Sequence, residues 1–204
     1  MTERLVNIKY MSPRTPEQFE QMREERRESI INAALELFAR KGVDHTTISA
    51  IAKEADISKG LIYNYFDSKE QLLEEVINQG FAEMPLFNGT PSDAPPKETF
   101  NQLMKDLYTS VTQHRIFWQF YTELLLQVFR NPELADHFAA TYRQFIGTFT
   151  EVLRRGGVPG PELEARKLAS LLDGMMLHYL YDEDYPLQAI YEDIVETYTS
   201  MMHS

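Results

Sequence analysis

The stretch that most constrains this chain is TTISAIAKEADISKGLIYNYFDSKEQL, residues 46–72. Its spacing predicts a helix, a tight turn, a second short helix and the start of a third. Ile48, Ile51, Ala52 and Ala55 fall at i, i+3, i+4 and i+7, so they share one apolar helix face. Thr46 or Thr47 can cap that helix, because a threonine oxygen takes up an otherwise unpaired backbone N–H. Asp56 sits in the turn. Ser58 is the next capping residue, and Ile57 and Ile62 are spaced as a hydrophobic staple that sets the entry angle of the second helix. Leu61, Ile62, Tyr65 and Phe66 are placed to anchor it. Ser58, Lys59, Gly60, Tyr63 and Asn64 are left to face outward. Ser68 and Gln71 have the capping-box spacing for the helix that follows. This is the layout of a helix-turn-helix, a motif that lays its second helix in the major groove of DNA.

Lys59 and Lys69 each fall just inside a predicted helix N-terminus. The helix dipole disfavours a cation there by roughly 0.3–1 kcal/mol. A phosphate partner reverses that sign, since helix N-termini and ammonium groups both attract anions. A solvated lysine tolerating the small penalty is the plainer alternative. Tyr63 and Tyr65 lie two apart and cannot share a helix face. If Tyr65 packs with Leu61, Tyr63 points outward.

The segment resembles the DNA-binding domain of the tetracycline-repressor (TetR/AcrR) family of bacterial transcriptional regulators. The residues that carry the resemblance are TTISAIAKEADISKG, then LIYNYF, then DSKEQLL, preceded by IINAALELFARKGVDH at residues 30–45. It covers about the first third of the chain. The resemblance implies an all-helical fold: a three-helix DNA-binding head, a helical ligand-binding body and a homodimer. Carried over by position, it implies that Lys59, Gly60 and Tyr63 contact bases or sugars, and that Ser58 and Asn64 occupy neighbouring contact positions. It also implies phosphate contacts from Thr47, Tyr65 and Lys69.

The net charge is −11, which at first argues against a nucleic-acid partner. The distribution softens this. Residues 1–79 hold 11 Lys/Arg against 14 Asp/Glu, and residues 80–204 hold 9 against 17, so the body carries most of the excess. Few phosphate contacts per head are expected. The chain contains no cysteine, which excludes disulfides and thiolate metal sites. No run has the length of a membrane-spanning helix and the first residues lack a signal-peptide core, which fits a cytoplasmic protein.

The expected organisation is a flexible arm over residues 1–16, a head over 17–80 and a body over 81–204. The first helix spans 17–41 and stops at Gly42. The arm could reach DNA through Arg4, Lys9 or Arg14. A fourth helix from Ser68 to about Met84 links head to body, and residues 84–96 break all periodicity. The body reads as five helices, near 97–113, 115–130, 132–155, 161–181 and 186–202. The second of these is apolar nearly all round and is expected to be buried. In the family, the last two helices pair with their copy in a two-fold interface.

Aromatic residues crowd positions 100–150. Most belong to a packed core. A cavity between helices would draw on Trp118, Tyr121, Glu123, Phe145, Phe149, Met175, His178 and Tyr179, and would suit a largely apolar or aromatic small molecule. Glu123 stands out because a carboxylate in so apolar a helix is costly to bury unpaired. A cationic ligand, Arg143 or simple exposure would each relieve it. An enzyme is the rival class. The five histidines show no metal-ligand pairing, no nucleophile elbow or phosphate-binding glycine loop occurs, and no cofactor is expected. Asp182, Glu183 and Asp184 read as a solvated loop. A second rival is a constitutive dimeric DNA binder with no effector.

Overall fold

The computed structural model describes residues 15–82, 93–128 and 132–203. The described residues form helices and no strand: α1 (Pro16–Lys41), α2 (Ile48–Glu54), α3 (Lys59–Ile62), α4 (Lys69–Ala82), α5 (Pro96–Gln113), α6 (Arg115–Gln127), α7 (Pro132–Arg155), α8 (Pro161–Tyr181) and α9 (Leu187–Ser200). The arm residues Arg4, Lys9 and Arg14, the end of the linking helix at Met84 and the loop over 84–92 lie outside the described residues. None of the described helices is long and apolar enough to cross a membrane.

Helix α1 starts at Pro16 because Thr15 and Gln18 form a capping box, each side chain accepting from the other's backbone N–H. Its first half is exposed. Its second half buries Ile30, Ile31, Ala34, Leu37 and Phe38. That half packs on α2 and α4 in the head, and also along α6 of the body. Phe38 stacks on Phe120 of α6 with ring centroids 5.9 Å apart, and both rings are 0% exposed. The head therefore rides on α6 through α1 as well as being tethered by α4.

Two glycines mark where this contact is closest. Gly42 ends α1 with φ +77°, a left-handed conformation that glycine adopts without strain. A Cβ there would lie 3.1 Å from Glu123 Oε1 of α6. A Cβ on Gly80 of α4 would lie 1.9 Å from the Phe117 ring.

The body core forms where α5, α7 and α9 meet. Phe100 of α5 meets the edge of Phe149 at 5.9 Å and stacks on Tyr198 at 5.8 Å. Phe100, Met104, Leu107 and Val111 are buried on one face of α5. The Arg115 guanidinium donates to the carbonyls of Tyr179 (3.1 Å) and Leu180 (2.6 Å), placing a cation at the negative end of α8.

Burial, with the Glu164 charge second, pushes the Tyr198 hydroxyl up to about 12, and burial followed by the Asp173 charge pushes Tyr121 up as well. Unfolded tyrosine ionises near 10 (about that value in peptides), so the fold holds these protons more tightly than the unfolded chain does. The contribution is fully present below pH 10 and is lost as pH climbs through the folded value. Urea midpoints should therefore fall between about pH 10 and pH 12. A smaller fall is expected in Tyr198→Phe, and an unchanged fall would place the alkaline sensitivity elsewhere.

Candidate nucleic-acid interface and body cavity

The helix-turn-helix is built by local capping. Thr47 Oγ1 accepts from Ala50 N at 3.2 Å and starts α2, and Ser58 Oγ accepts from Leu61 N at 3.3 Å and starts α3. Thr46 is buried, its hydroxyl donating to the carbonyls of Gly42 (2.8 Å) and Leu37 (3.3 Å), so Thr47 is the cap. Asp56 carries the turn in the left-handed region at φ 52°, where a short polar side chain is tolerated. Ile51, Ala52, Ala55, Ile62 and Phe66 are buried beneath the motif. The Arg27 guanidinium pairs with Glu75 of α4 and lies 5.6 Å above the Phe66 ring, tying α1 to the end of the motif.

Helix α3 is shorter than its periodicity predicts. It ends at Ile62, and residues 63–65 form turns in which Asn64 N donates to Leu61 O at 3.1 Å and Tyr65 N to Ile62 O at 2.9 Å. The i→i+3 bonds tighten the last turn, as they do at many helix ends. Gln71 N donates to Ser68 Oγ at 3.1 Å and opens α4, while the Gln71 side chain accepts from Asp67 N rather than Ser68 N.

Thr47, Ser58, Lys59, Gly60, Tyr63 and Asn64 are all exposed around this turn. The Lys59 ammonium has no partner among the described residues. Tyr63 is 48% exposed, and Tyr65 is half-buried with its ring 6.5 Å from Phe66. Lys69 is placed differently from Lys59. Its Nζ donates to Val43 O (3.0 Å) and Thr46 O (3.3 Å), pinning the loop that feeds α2.

Gly60 is informative for what it lacks. A Cβ there meets nothing within 4 Å and no left-handed φ requires glycine. Glycine in a helix costs about 0.5–1 kcal/mol relative to alanine, and no packing in the fold offsets it. Close approach of another molecule's surface does call for it. Gly60→Ala should raise the unfolding free energy by about 0.5–1 kcal/mol while weakening DNA binding. Urea denaturation and a DNA titration on the same variant check both signs.

In the body, Trp118 and Tyr121 of α6, Phe145 of α7 and Met175 of α8 meet around a cavity of about 50 Å³. Phe81 from the last turn of α4, with Thr141 and Tyr142 of α7, completes the wall where it matters most. Trp118 Nε1 donates to Ser110 Oγ at 3.2 Å. Phe81 sets its edge against both Phe117 (5.4 Å) and Tyr121 (5.7 Å). The other four residues expected at such a cavity lie elsewhere. Phe149 is wholly buried between Phe100 and Phe145. Glu123 is half-buried on the opposite side of α6, accepting from Gln127 Nε2 at 3.2 Å and facing Gly42. His178 is exposed, hydrogen-bonded with the Tyr181 hydroxyl and stacked on Tyr185 at 5.6 Å. Tyr179 lies under the Arg115 guanidinium at 5.1 Å. Among the described residues no cluster of His, Asp and Glu is arranged to hold a metal ion.

Two family models match the chain: bacterial regulatory proteins of the tetR family over residues 30–76, and the tetracyclin repressor-like C-terminal domain over residues 95–200. The second alone spans half the chain. The chain belongs to the tetracycline-repressor family.

Among relatives, an uncharacterised helix-turn-helix transcriptional regulator of Bacillus subtilis, YuxN, is 36% identical over 95 residues, which is 46% of this chain and 33% of that protein. The matched part thus spans about a third of that relative's length. Another B. subtilis regulator, YfiR, is 24% identical over 185 residues, covering 85% of this chain and 88% of its own. NalD of Pseudomonas aeruginosa, the secondary repressor of the MexAB-OprM multidrug efflux pump, has the same fold with a TM-score of 0.67 at 24% identity, over 89% of this chain and 98% of that one. A regulator from Saccharomonospora viridis solved in complex with choline gives 0.72 at 21% identity, over 89% of this chain and all of its own.

Proposed function

We propose that the protein is a cytoplasmic, homodimeric, ligand-responsive transcriptional regulator that binds operator DNA, acting as a repressor released when a small molecule enters the body. The observation that carries the DNA-binding part is the exposed surface of Ser58, Lys59, Gly60, Tyr63 and Asn64, with an unpartnered ammonium and a glycine that no packing requires. Lys59, Gly60 and Tyr63 reach bases or sugars, Ser58 and Asn64 flank them, and Thr47 and Tyr65 meet phosphates. Lys69 adds a phosphate contact through the proton its two carbonyl bonds leave free.

Dimerisation runs through α8 and α9. Leu163 (60%), Leu171 (50%), Leu177 (44%) and Tyr181 (65%) are exposed along α8, and Met201 follows α9 at 39%. Gly174, between them, has nothing within 4 Å of a Cβ position and admits a neighbouring helix closely. A two-fold pair would set the heads on half-sites one DNA turn apart, roughly 34–36 Å. The effector, largely apolar or aromatic, occupies the cavity lined by Trp118, Tyr121, Phe145 and Met175, and acts only if it favours a body conformation that mis-spaces the heads.

One observation favours a constitutive DNA binder instead. The cavity measures about 50 Å³, whereas small-molecule pockets are usually about 300–1,000 Å³. A ligand must therefore displace walls, and Phe81 is the wall that belongs to α4. Selection of genomic fragments by the purified protein tests the proposal. Enrichment of a palindromic site with half-sites one turn apart, and its release by a bound small molecule, is the expected result. Failure to enrich any fragment would remove the DNA-binding reading, and an operator that no ligand releases would leave the constitutive one.

A further inference from the structure

The chain carries a net charge of −11, and only nine of its lysines and arginines follow residue 80. Three of those, Arg143, Arg154 and Arg166, line one open groove of about 470 Å³ between α7 and α8. Arg154 is balanced by Glu151 and by Glu162 at 4.0 Å, and Glu162 also lines the groove. The guanidinium groups of Arg143 and Arg166 have no partner among the described residues. Thr150 lines the same groove at 6% exposure, and its hydroxyl is buried without a hydrogen-bond partner. Such an orphan calls for an explanation, because nearly all buried polar groups in folded proteins are paired. Gly147 keeps the wall low, with nothing within 4 Å of a Cβ position. Tyr142 belongs both to this groove and to the aromatic cavity, and its 42% exposed side chain is the partition between them.

We infer that the α7–α8 seam binds an apolar organic anion, a carboxylate on an aliphatic or aromatic body. Its charged end lies among Arg143, Arg166 and Thr150, and its tail passes Tyr142 into the cavity beside Trp118. Guanidinium groups suit a carboxylate because their N–H fork matches its two oxygens, and the Thr150 hydroxyl supplies one more donor. The orientation follows from charge. The outer end holds the arginines, while the inner cavity is walled mainly by aromatic and aliphatic side chains that suit the tail. A bare inorganic anion would use the arginines but leave the aromatic walls without a role. The inference rests on the proposed ligand-sensing reading and names the class of its effector.

Trp118 is the only tryptophan in the chain and stands in the cavity wall, so its fluorescence reports tail entry. The full chain is titrated with decanoate, with decan-1-ol and with acetate. Decanoate should give a saturable change, decan-1-ol one about tenfold weaker, and acetate none. Arg143→Ala with Arg166→Ala should weaken decanoate about tenfold and leave decan-1-ol within about twofold. Equal affinity for decanoate and decan-1-ol, indifferent to the arginines, overturns the inference, as does the absence of any saturable change. So does a double variant that sediments as a monomer yet binds decanoate normally, since the arginines then pair with a second copy. DNA binding of the unliganded protein is measured alongside. If it persists while decanoate fails, only the ligand class falls; if it is absent, the regulator reading itself falls.

Discussion

Phe120→Ala lowers the unfolding free energy by about 3–5 kcal/mol, the range for emptying a fully buried phenylalanine site. The ring is 0% exposed and stacks on Phe38, itself 0% exposed, where α6 of the body meets α1 of the head. Neighbouring Phe117 lies 6.3 Å from it and is held in turn by Phe81 and Trp118, so the site cannot close over the void. Urea denaturation followed by circular dichroism measures the change. One transition moving as a whole is expected, because the lost contact joins the two parts. A second transition confined to the head would mean that α1 is stabilised without α6, and that head and body do not share this core.

Gly80→Ala destabilises by about 1–3 kcal/mol, the cost of forcing an extra carbon into a packed core. In an open helix the same change gains up to about 1 kcal/mol from propensity, which is the expectation for Gly60. At Gly80 the new Cβ would sit 1.9 Å from the Phe117 ring, which is 5% exposed and wedged against Phe81, Trp118 and Phe120. The ring gives way only by loosening its contacts with Phe81 and Trp118, which wall the cavity. Gly80→Ala should therefore also shift Trp118 fluorescence in the unliganded protein. A stabilised Gly80→Ala variant with unchanged fluorescence would show that α4 and α6 are not in contact here.

The head was legible from the sequence because its determinants are local. Thr47 and Ser58 cap their helices through residues three positions on, and Ile57 and Ile62 bracket one turn. Both depend on spacing alone. The length of α3 was less legible, since the i→i+3 bonds at residues 61–65 compete with a helix that the apolar pattern would also satisfy. The body cavity was half legible. Phe149 has the same helical period as Phe145, and only the arrival of Phe100 from another helix makes it core rather than wall. Glu123 is a half-buried carboxylate in an apolar helix. The reason for its place is that α6 has two apolar faces, one with Trp118 and Tyr121 toward the cavity and one with Phe117 and Phe120 toward the head. Phe81 carried no signal as a cavity residue, because its role depends on where α4 ends against α6. The groove arginines were hidden by the overall negative charge, and no period groups residues 143, 154 and 166 without knowing how α7 and α8 pair.

The proposed reading of DNA by the surface around α3 is tested by fluorescence anisotropy of the purified protein with DNA upstream of its own gene, run across a salt series with Lys59→Ala beside the parent chain. The expected result is saturable binding well above that to scrambled DNA, falling linearly with salt on logarithmic axes. Lys59→Ala should lose at least about tenfold in affinity, since each of two heads gives up a base or sugar contact worth about 1–3 kcal/mol, and should discriminate less between this DNA and scrambled DNA. A Lys59→Ala variant that binds this DNA as tightly and as selectively as the parent would contradict this reading.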